Sequence, residues 1–329
     1  MDRHRLIAVL RYLLRRTTVA IPVLIGISII VFALVQLQPG DPYSAMIDPT
    51  ATAEQRDALL RRVGYYDPLV VKYLKWAGRA VTGDLGYSIQ YGAPVATVIA
   101  SRLGNTLLLT GTALAIALVV ALPAGIYQGL RRNSTGDVVL TVLTFVSFSI
   151  PTFFLGMVLI KVFSANLGWL PASGAATIGG NFQGIGAALD VGAHLVLPAL
   201  TLATMNIAVF ARYLRANVNV IVGQDFIRSQ IAFGTPTGEI LWVHVLKNAA
   251  KPLITIISLE IPALLSGALL TETVFGWPGI GRLNYEAVIN RDYSLLMGII
   301  MFLAVATIVA NLIADIIYAI VDPRVRVNS

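Results

Sequence analysis

Residues 17–37 read TTVAIPVLIGISIIVFALVQL, a run of 21 residues without one charged side chain. At about 1.5 Å per residue, a helix of this length crosses a hydrocarbon core of about 30 Å. The run is too long for the apolar part of a cleaved signal peptide, and no small-residue cleavage site follows it at once. We therefore interpret it as a retained membrane span.

The whole chain is unusually apolar. Of its 329 residues, 57% are hydrophobic and only 12% are charged, and the mean hydropathy is +0.77. Soluble domains carry about 25% charged residues. The charges are too few to cover the surface of a soluble protein of this size, so the excess apolar surface is expected to face lipid.

Five further apolar stretches follow, and with the first they predict an all-α integral membrane protein with six transmembrane helices. They cover residues 104–129, 137–164, 194–216, 249–274 and 294–320. No repeat and no low-complexity linker separates parts of the chain, which predicts one transmembrane domain over residues 1–329. Gly125 and Gly129 form a G-x-x-x-G pattern, a weak signal for a helix contact.

The positions of the basic side chains indicate the orientation. If the N terminus lies in the cytoplasm, the short cytoplasmic segments carry 14 of the 24 Lys and Arg, and the short outer segments carry two. Such an excess marks the cytoplasmic side. We expect a multi-pass protein of the plasma or inner membrane with both termini cytoplasmic. Membrane orientation then explains the net charge of +7, and we expect no nucleic acid partner.

Residues 38–102 form the longest segment between spans and are expected to lie outside the cytoplasm. The segment opens with the helix stop Pro39-Gly40-Asp41-Pro42. Thr52 and Gln55 fit a capping box, followed by apolar Leu59, Leu60 and Val63. The pattern predicts a short amphipathic helix after the N-cap Thr52, either on or near the outer membrane face or packed on the rest of the segment.

Several kinds of chemistry are excluded by what the sequence lacks. It has no Cys, and its three His show no metal-ligand spacing. It also has no G-x-x-x-x-G-K-[ST] motif for holding nucleotide phosphates. We therefore expect no catalytic residue and no metal site in this chain. Any pumping would draw on an ion gradient or on a separate ATPase.

The cytoplasmic segment 217–248 contains the sequence DFIRSQIAFG at residues 225–234. Its apolar spacing predicts a helix that ends at Gly234, a residue typical of helix C-termini. A second helix is expected to begin near Glu239, where an acid suits the helix dipole. Two short helices would make a compact knob for a partner, although an ordinary loop between spans fits the pattern too.

Six segments in order resemble the membrane permease subunits of ATP-binding-cassette importers, specifically the B-type subunit of dipeptide and oligopeptide systems. They are Pro39 to Pro42, Gly83 to Ser88, Asp225 to Arg228, Glu272 to Gly281, Asn311 to Asp315 and Asp322 to Arg324. The resemblance implies the ABC importer permease fold, with the extracytoplasmic insertion after the first span. It also implies a subunit that is not itself an enzyme and holds no cofactor.

The resemblance implies several partners. A second permease subunit would complete a heterodimeric pathway for di- or oligopeptides. Two cytoplasmic ATP-binding subunits would bind ATP and Mg and drive transport, and an extracytoplasmic substrate-binding protein would deliver the peptide. Membrane lipid surrounds the chain.

The family carries an E-A-A motif in the cytoplasmic loop, whose short helix docks on the ATPase. By position, the coupling-loop residues are Asp225, Arg228, Ser229, Gln230 and Gly234. Gln230, Ile231 and Phe233 stand where Ala, Arg and Lys are usual, so two cations are lost. Apolar contact is expected to replace charge pairing here.

A loop between the last two spans resembles the part of the family that dips into the outer mouth of the pathway. The candidate outer gate residues are Phe275, Trp277, Pro278, Gly279 and Gly281. Pro and Gly predict a tight non-helical path, and the aromatic residues supply apolar bulk. An interfacial aromatic anchor explains the same pattern.

Polar residues inside spans are costly and are therefore functional candidates. We identify Glu260, Asp315 and Asn311 as pathway candidates. Asn311 and Asp315 are four residues apart on one helix face, and they also fit a purely structural pairing. Glu260 would select a cationic substrate group or pair with Lys161.

Two other functions fit the residues. A permease for metal chelates or other small cationic ligands is similar in sequence. A proton-coupled secondary carrier would use Glu260 or Asp315 as its proton site.

Overall fold

The computed structural model describes residues 3–37, 51–62, 64–266 and 268–321. These residues are mainly helical, which confirms the all-α fold class. The predicted stop at residues 39–42 and the family segment at 322–324 lie outside the described residues. The N-terminal part before the first apolar run is helical from Arg3 onward.

The helices and strands follow one another along the chain as listed here. They are α1 (Arg3–Gln36), α2 (Ala53–Arg62), α3 (Leu69–Val81), β1 (Tyr87–Ser88), β2 (Ala93–Pro94), α4 (Val95–Leu130), α5 (Thr135–Ser149), α6 (Thr152–Leu159), α7 (Ile185–Val222), α8 (Asp225–Ala232), α9 (Thr237–Glu239), α10 (Lys247–Ser266), α11 (Leu269–Val274), α12 (Ile280–Ile289) and α13 (Tyr293–Val321). Two π-helical segments, Ile160–Asn166 and Ile240–Leu246, follow α6 and α9. Strands β1 and β2 form an antiparallel hairpin.

Five helical segments in the described part are long and apolar enough to cross a membrane. They are Thr18–Gln36, Val95–Leu130, Ile185–Val222, Thr237–Ser258 and Tyr293–Ile316. A sixth candidate is the pair Thr135–Ser149 and Thr152–Asn166, which is bent by 102°. Counting this pair as one span gives the six that the sequence predicts.

The span predicted over 137–164 is bent in the structure and consists of α5 and α6, followed by the π segment Ile160–Asn166. Ile150 adopts an extended conformation with ψ 123°, and Pro151 precedes α6. Proline has no N–H to donate, and its ring disfavours helical dihedrals in the preceding residue. The interruption of the helix therefore follows from the Ile150-Pro151 step.

The single helix predicted over 249–274 is also different in the structure. Helical conformation begins earlier, at Thr237, and α10 ends at Ser266. Ala268, with φ −107° and ψ 77°, is not helical, and α11 begins after it. The apolar pattern continues across this interruption, which is why hydropathy alone does not reveal it.

The α-carbon contacts divide the chain into two compact units. One contains Met1–Gly104 and Gly279–Val309, and the other contains Asn105–Pro278 and Ala310–Ser329. The core of the first unit combines side chains from α1, the start of α4, α12 and α13. Its fully buried members include Val95, Ile280, Leu295 and Ile299.

Polar side chains fix the β1–β2 hairpin within the first unit. Ser88 Oγ donates a 2.6 Å hydrogen bond to buried Asp292, which also accepts from the backbone N–H groups of Gln90 and Leu295. Tyr91 donates its hydroxyl proton to Glu286 at 2.6 Å. Burial and this bond to the carboxylate raise the pKa of Tyr91.

The predicted capping box of α2 is confirmed. The Thr52 N–H donates to Gln55 Oε1 at 3.0 Å, and the Gln55 N–H donates to Thr52 Oγ1 at 3.3 Å. Leu60 is 5% exposed, so α2 packs its apolar face within the protein. The packed alternative is the one that the structure supports for this helix.

Helix α7 forms the centre of the second unit. Small residues on α4 and α7, among them Ala117, Ala121, Ala203 and Ala211, are buried between them. Gly129 continues this contact, because a Cβ added there would lie 2.5 Å from Val218 Cβ. The G-x-x-x-G pattern of α4 is thus a true helix contact, as small residues allow in membranes.

Replacement of Gly129 by Ala is expected to destabilise the protein by about 1–3 kcal/mol, because the added methyl group overpacks the contact with α7. Gly111→Ala is the matched control, since a Cβ there meets nothing within 4 Å. Thermal unfolding in detergent should show a lower Tm for Gly129→Ala only. Equal Tm values for the two variants would show that the backbone contact is not tight.

Candidate functional site

Helix α8 lies in the predicted coupling loop and is attached to the protein by one buried side chain. Ile227 is 2% exposed and belongs to an apolar cluster with Leu214, Val218 and Val245. These neighbours come from the last turns of α7 and from the π segment Ile240–Leu246. Helix α8 is therefore held against two long helices at once.

The predicted end of this helix at Gly234 is confirmed. Gly234 has φ +75°, a conformation that L side chains rarely adopt. Its N–H donates to the Ile231 carbonyl at 3.0 Å, and the Thr235 N–H donates to the Gln230 carbonyl at 3.1 Å. These bonds satisfy the last carbonyls of α8, so the turn is a regular glycine cap.

The outward side of the loop exposes several large apolar side chains beside its charged ones. We define the coupling surface as the exposed large apolar side chains of α8, its cap and the neighbouring π segment. Its members are Phe226, Ile231, Phe233, Trp242 and Val243. Phe233 is 83% exposed and Ile231 is 61% exposed, so the two positions that lack the usual cations present apolar side chains to the outside.

The charged residues of the loop are weakly paired. Arg228 approaches Asp225 at 3.5 Å, and both side chains are largely exposed, so this ion pair adds little stability. Ser229 Oγ donates to the Asp225 carbonyl at 3.0 Å. Gln230 Oε1 accepts from Thr235 Oγ1 at 2.9 Å. Arg228 and Asp225 thus remain available to a partner, whereas Ser229 and Gln230 stabilise the turn.

The second helix begins near Glu239 as predicted, at Thr237, but it is not short. Helix α9 passes through the π segment directly into α10, and Ile240 and Lys247 both have right-handed helical dihedrals. No Gly or Pro interrupts residues 239–251. The second half of the knob is therefore the end of a long helix that continues into an apolar span.

The aromatic residues of the outer loop are buried. Trp277 is 0% exposed and Phe275 is 2% exposed. Trp277 Nε1 donates to the Asn105 carbonyl at 2.9 Å, and Asn105 Nδ2 donates to the Pro278 carbonyl at 3.0 Å. A Cβ on Gly156 would lie 2.9 Å from the Phe275 ring. The interfacial-anchor interpretation is wrong, because neither ring faces the outside of its unit.

The predicted non-helical path of this loop ends earlier than expected, at Gly279. Gly279 is extended, but Ile280 and Gly281 already belong to α12, so Gly281 is helical. The Leu283 N–H donates to the Gly279 carbonyl at 3.0 Å and starts this helix. The residue that needs glycine is Gly276, with φ +59°.

A buried carboxylate supports the same loop. Glu272 is 0% exposed and accepts from Thr106 Oγ1 at 3.1 Å, while its carbonyl accepts from the Trp277 N–H at 2.8 Å. The sequence does not mark Asn105 and Thr106 as site residues, because they lie in a span and carry no charge. Their partners are more than 160 residues away, so no local pattern identifies them.

The three pathway candidates lie on two helices, Glu260 on α10 and Asn311 and Asp315 on α13. Glu260, Asn311 and Asp315 are each half-buried in helices of the second unit. Glu260 and Lys161, both described, form no ion pair. Within the described ranges, no group of His, Cys, Asp or Glu is arranged to hold a metal ion.

An ion pair that the sequence does not predict joins α5 and α7. Arg215 Nε and Nη2 donate to the two carboxylate oxygens of Asp137, each at 2.8 Å. Asp137 is 1% exposed and also accepts from the Asn133 N–H at 2.9 Å. The capping pattern Ser134 to Asp137 was visible in the sequence, but the partner is 78 residues away.

Replacement of Arg215 by Met is expected to cost about 3 kcal/mol of stability, because it leaves the Asp137 carboxylate buried and uncompensated. The double variant Asp137→Leu with Arg215→Met should recover part of this loss. Arg212→Met, at an exposed position of the same helix, is the control, and loss of its contacts with the Phe145 and Phe148 rings should cost less than loss of the buried ion pair. Thermal unfolding in detergent measures all three, and equal effects of Arg212→Met and Arg215→Met would contradict the role of the pair.

The chain is similar to known membrane transport proteins over nearly its full length. It matches the family "Binding-protein-dependent transport system inner membrane component" over residues 121–327 and the N-terminal model of such components over 9–110. The oligopeptide transport system permease protein AppB of Bacillus subtilis is 41% identical, over 96% of this chain and 99% of the relative. The dipeptide transport system permease protein DppB of Escherichia coli K12 is 34% identical, with the same shares covered.

A solved structure confirms the fold. An inward-facing structure of the MetNI methionine ABC transporter aligns with a TM-score of 0.55 at 17% identity, over 69% of this chain and 97% of that chain. This likeness confirms the ABC importer permease fold that the sequence resemblance implied. The family match over most of its length shows that the chain belongs to the binding-protein-dependent transport system inner membrane components.

Proposed function

We propose that this chain is a permease subunit of an ATP-driven importer of di- or oligopeptides. The observation that carries the proposal is the similarity over 96% of the chain to relatives named as oligopeptide and dipeptide permeases. The helical fold with its apolar spans is that of a multi-pass membrane subunit. The subunit moves its substrate without breaking a covalent bond in it.

The ATPase would dock on the coupling surface. Helix α8 exposes Ile231 and Phe233 while Ile227 holds it to α7, so a partner can contact the helix without disturbing its attachment. Two cytoplasmic ATP-binding subunits would supply the nucleotide and Mg sites that this sequence lacks. Loss of the usual cations implies that their groove is apolar where it receives Phe233.

The remaining assignments follow from this role. A second permease would form the other half of the pathway, and both termini of this chain would be cytoplasmic. A substrate-binding protein would deliver peptide to the segment 38–102. The buried loop from Phe275 to Gly279 would act as an outer gate, and Glu260, Asn311 and Asp315 would face the pathway.

The similarity does not favour the other functions. The relatives cited above are named as peptide permeases, not as carriers of metal chelates or proton-coupled carriers. The family likeness is to systems that depend on a binding protein.

Replacement of Phe233 by Asp is expected to reduce ATPase capture at least about tenfold, because a carboxylate would have to enter an apolar groove without a partner. Ile231→Asp should act in the same direction. Gln224→Asp adds the same charge at the exposed N-cap of α8 and should bind as the unmodified chain does. Co-purification with the ATPase subunits measures binding, and equal loss in all three variants would contradict this docking surface.

Uptake of labelled peptide into vesicles that hold the complete transporter is expected to require ATP on the ATPase side and the binding protein on the other side. Collapse of the proton gradient should leave the rate unchanged, because no proton site drives the cycle. The purified chain alone should hydrolyse no ATP. Uptake that persists without ATP and stops with the proton gradient would overturn the proposal in favour of a secondary carrier.

A further inference from the structure

Helix α3, in the segment after the first span, separates its charged and apolar side chains. At about 100° per residue, Lys72, Lys75 and Arg79 fall within an arc of about 60°, and Val70, Leu74 and Val81 fall within about 40° on the opposite side. These three apolar residues are 69%, 62% and 88% exposed, and none of the residues of α3 is buried. The described part of the chain therefore leaves this apolar face largely uncovered.

The contacts of α3 with α1 place it at the depth of the bilayer. Ser28 Oγ lies 2.8 Å from the Tyr73 hydroxyl, and the Phe32 ring packs 5.5 Å from Tyr73 and 6.4 Å from Trp76. Ser28 lies eight residues before the end of α1 at Gln36, which corresponds to about 12 Å along the helix. Tyr73 thus meets the span well inside its apolar part.

The exposed side chains of α1 continue the same surface. Ile25, Ile29, Ile30 and Leu34 are about half exposed or more, as expected for a span that faces lipid. Helix α3 packs beside this span. The apolar face of α3 therefore continues the lipid-facing surface of α1.

Two lysines on the charged face of α3 contact residues of the turn that precedes the helix. Lys75 Nζ donates to Asp67 Oδ2 at 2.6 Å, and Lys72 lies 5.1 Å from the centre of the Tyr65 ring. Both partners belong to the turn before α3. The cations therefore lie on the side of the turn, where headgroup phosphates could reach them while the opposite face meets acyl chains.

We propose that α3 is a membrane-embedded amphipathic helix that binds phospholipid in the leaflet at the C-terminal end of α1. Val70, Leu74 and Val81 contact acyl chains, and Lys72, Lys75 and Arg79 contact headgroup phosphates. This part of the segment after the first span anchors in lipid, and the remainder is left to receive a protein partner. The proposal needs only the membrane fold and is independent of peptide transport.

The absence of Cys allows a direct test with single spin labels in the full-length chain. Labels are placed at Leu74→Cys and Val81→Cys on the apolar face and at Lys75→Cys and Arg79→Cys on the charged face. Leu74 is 62% exposed and the Lys75 side chain is 63% exposed, so exposure alone predicts equal behaviour at these two neighbours. Leu34→Cys on α1 and Glu54→Cys on α2 serve as lipid and water references.

The chain is reconstituted in phosphatidylethanolamine–phosphatidylglycerol vesicles, and label collisions with oxygen and with a water-soluble nickel chelate are compared. We expect the oxygen-to-nickel ratio to be severalfold higher at Leu74 and Val81 than at Lys75 and Arg79, and close to that at Leu34. Equal ratios on the two faces, close to that at Glu54, would overturn the proposal. If the label at Leu74 is shielded from the nickel chelate only after the binding protein is added, the proposal is also overturned. The apolar face would then bind a protein.

Discussion

In a bilayer every backbone N–H and C=O group needs a partner inside the protein, and the rest of this structure depends on that constraint. Long helices such as α1, α4, α7 and α13 meet it by their own hydrogen bonds. Interruptions survive only where the freed groups are satisfied nearby. After the break at Ala268, the Glu272 N–H donates to the Ala268 carbonyl at 2.8 Å, and the Trp277 N–H donates to the Glu272 carbonyl at 2.8 Å.

Polar side chains inside the helices obey the same constraint. Asp137 accepts from two nitrogen atoms of Arg215, and Glu272 accepts from Thr106. Each of these two buried carboxylates thus has a partner from another helix. Because apolar side chains gain little from leaving lipid, close packing of small residues supplies the remaining contact energy. The contact of Gly129 with Val218 and the Ala-rich cluster of α4 and α7 are the result.

Features set by neighbouring residues could be predicted from the sequence. The apolar run at 17–37, the Thr52–Gln55 capping box and the helix end at Gly234 each depend on a few adjacent positions, and each is confirmed. Features set by distant partners could not. The burial of Trp277 depends on Asn105, and the charge of Asp137 is tolerated because of Arg215. The bend at Pro151 belongs partly to each class. The proline is visible in the sequence, but the 102° angle depends on how α6 packs.

The attachment of α8 determines how docking could act on the spans. Ile227 packs with Leu214 and Val218 of α7 and with Val245 of the segment that leads into α10. Close-packed side chains transmit displacement without much compression. Because α9, the π segment and α10 are continuous, a partner that moves α8 would shift two membrane helices together. A flexible loop would absorb the same displacement, so the buried side chain, together with the exposed Phe233, accounts for the coupling role proposed for this short helix.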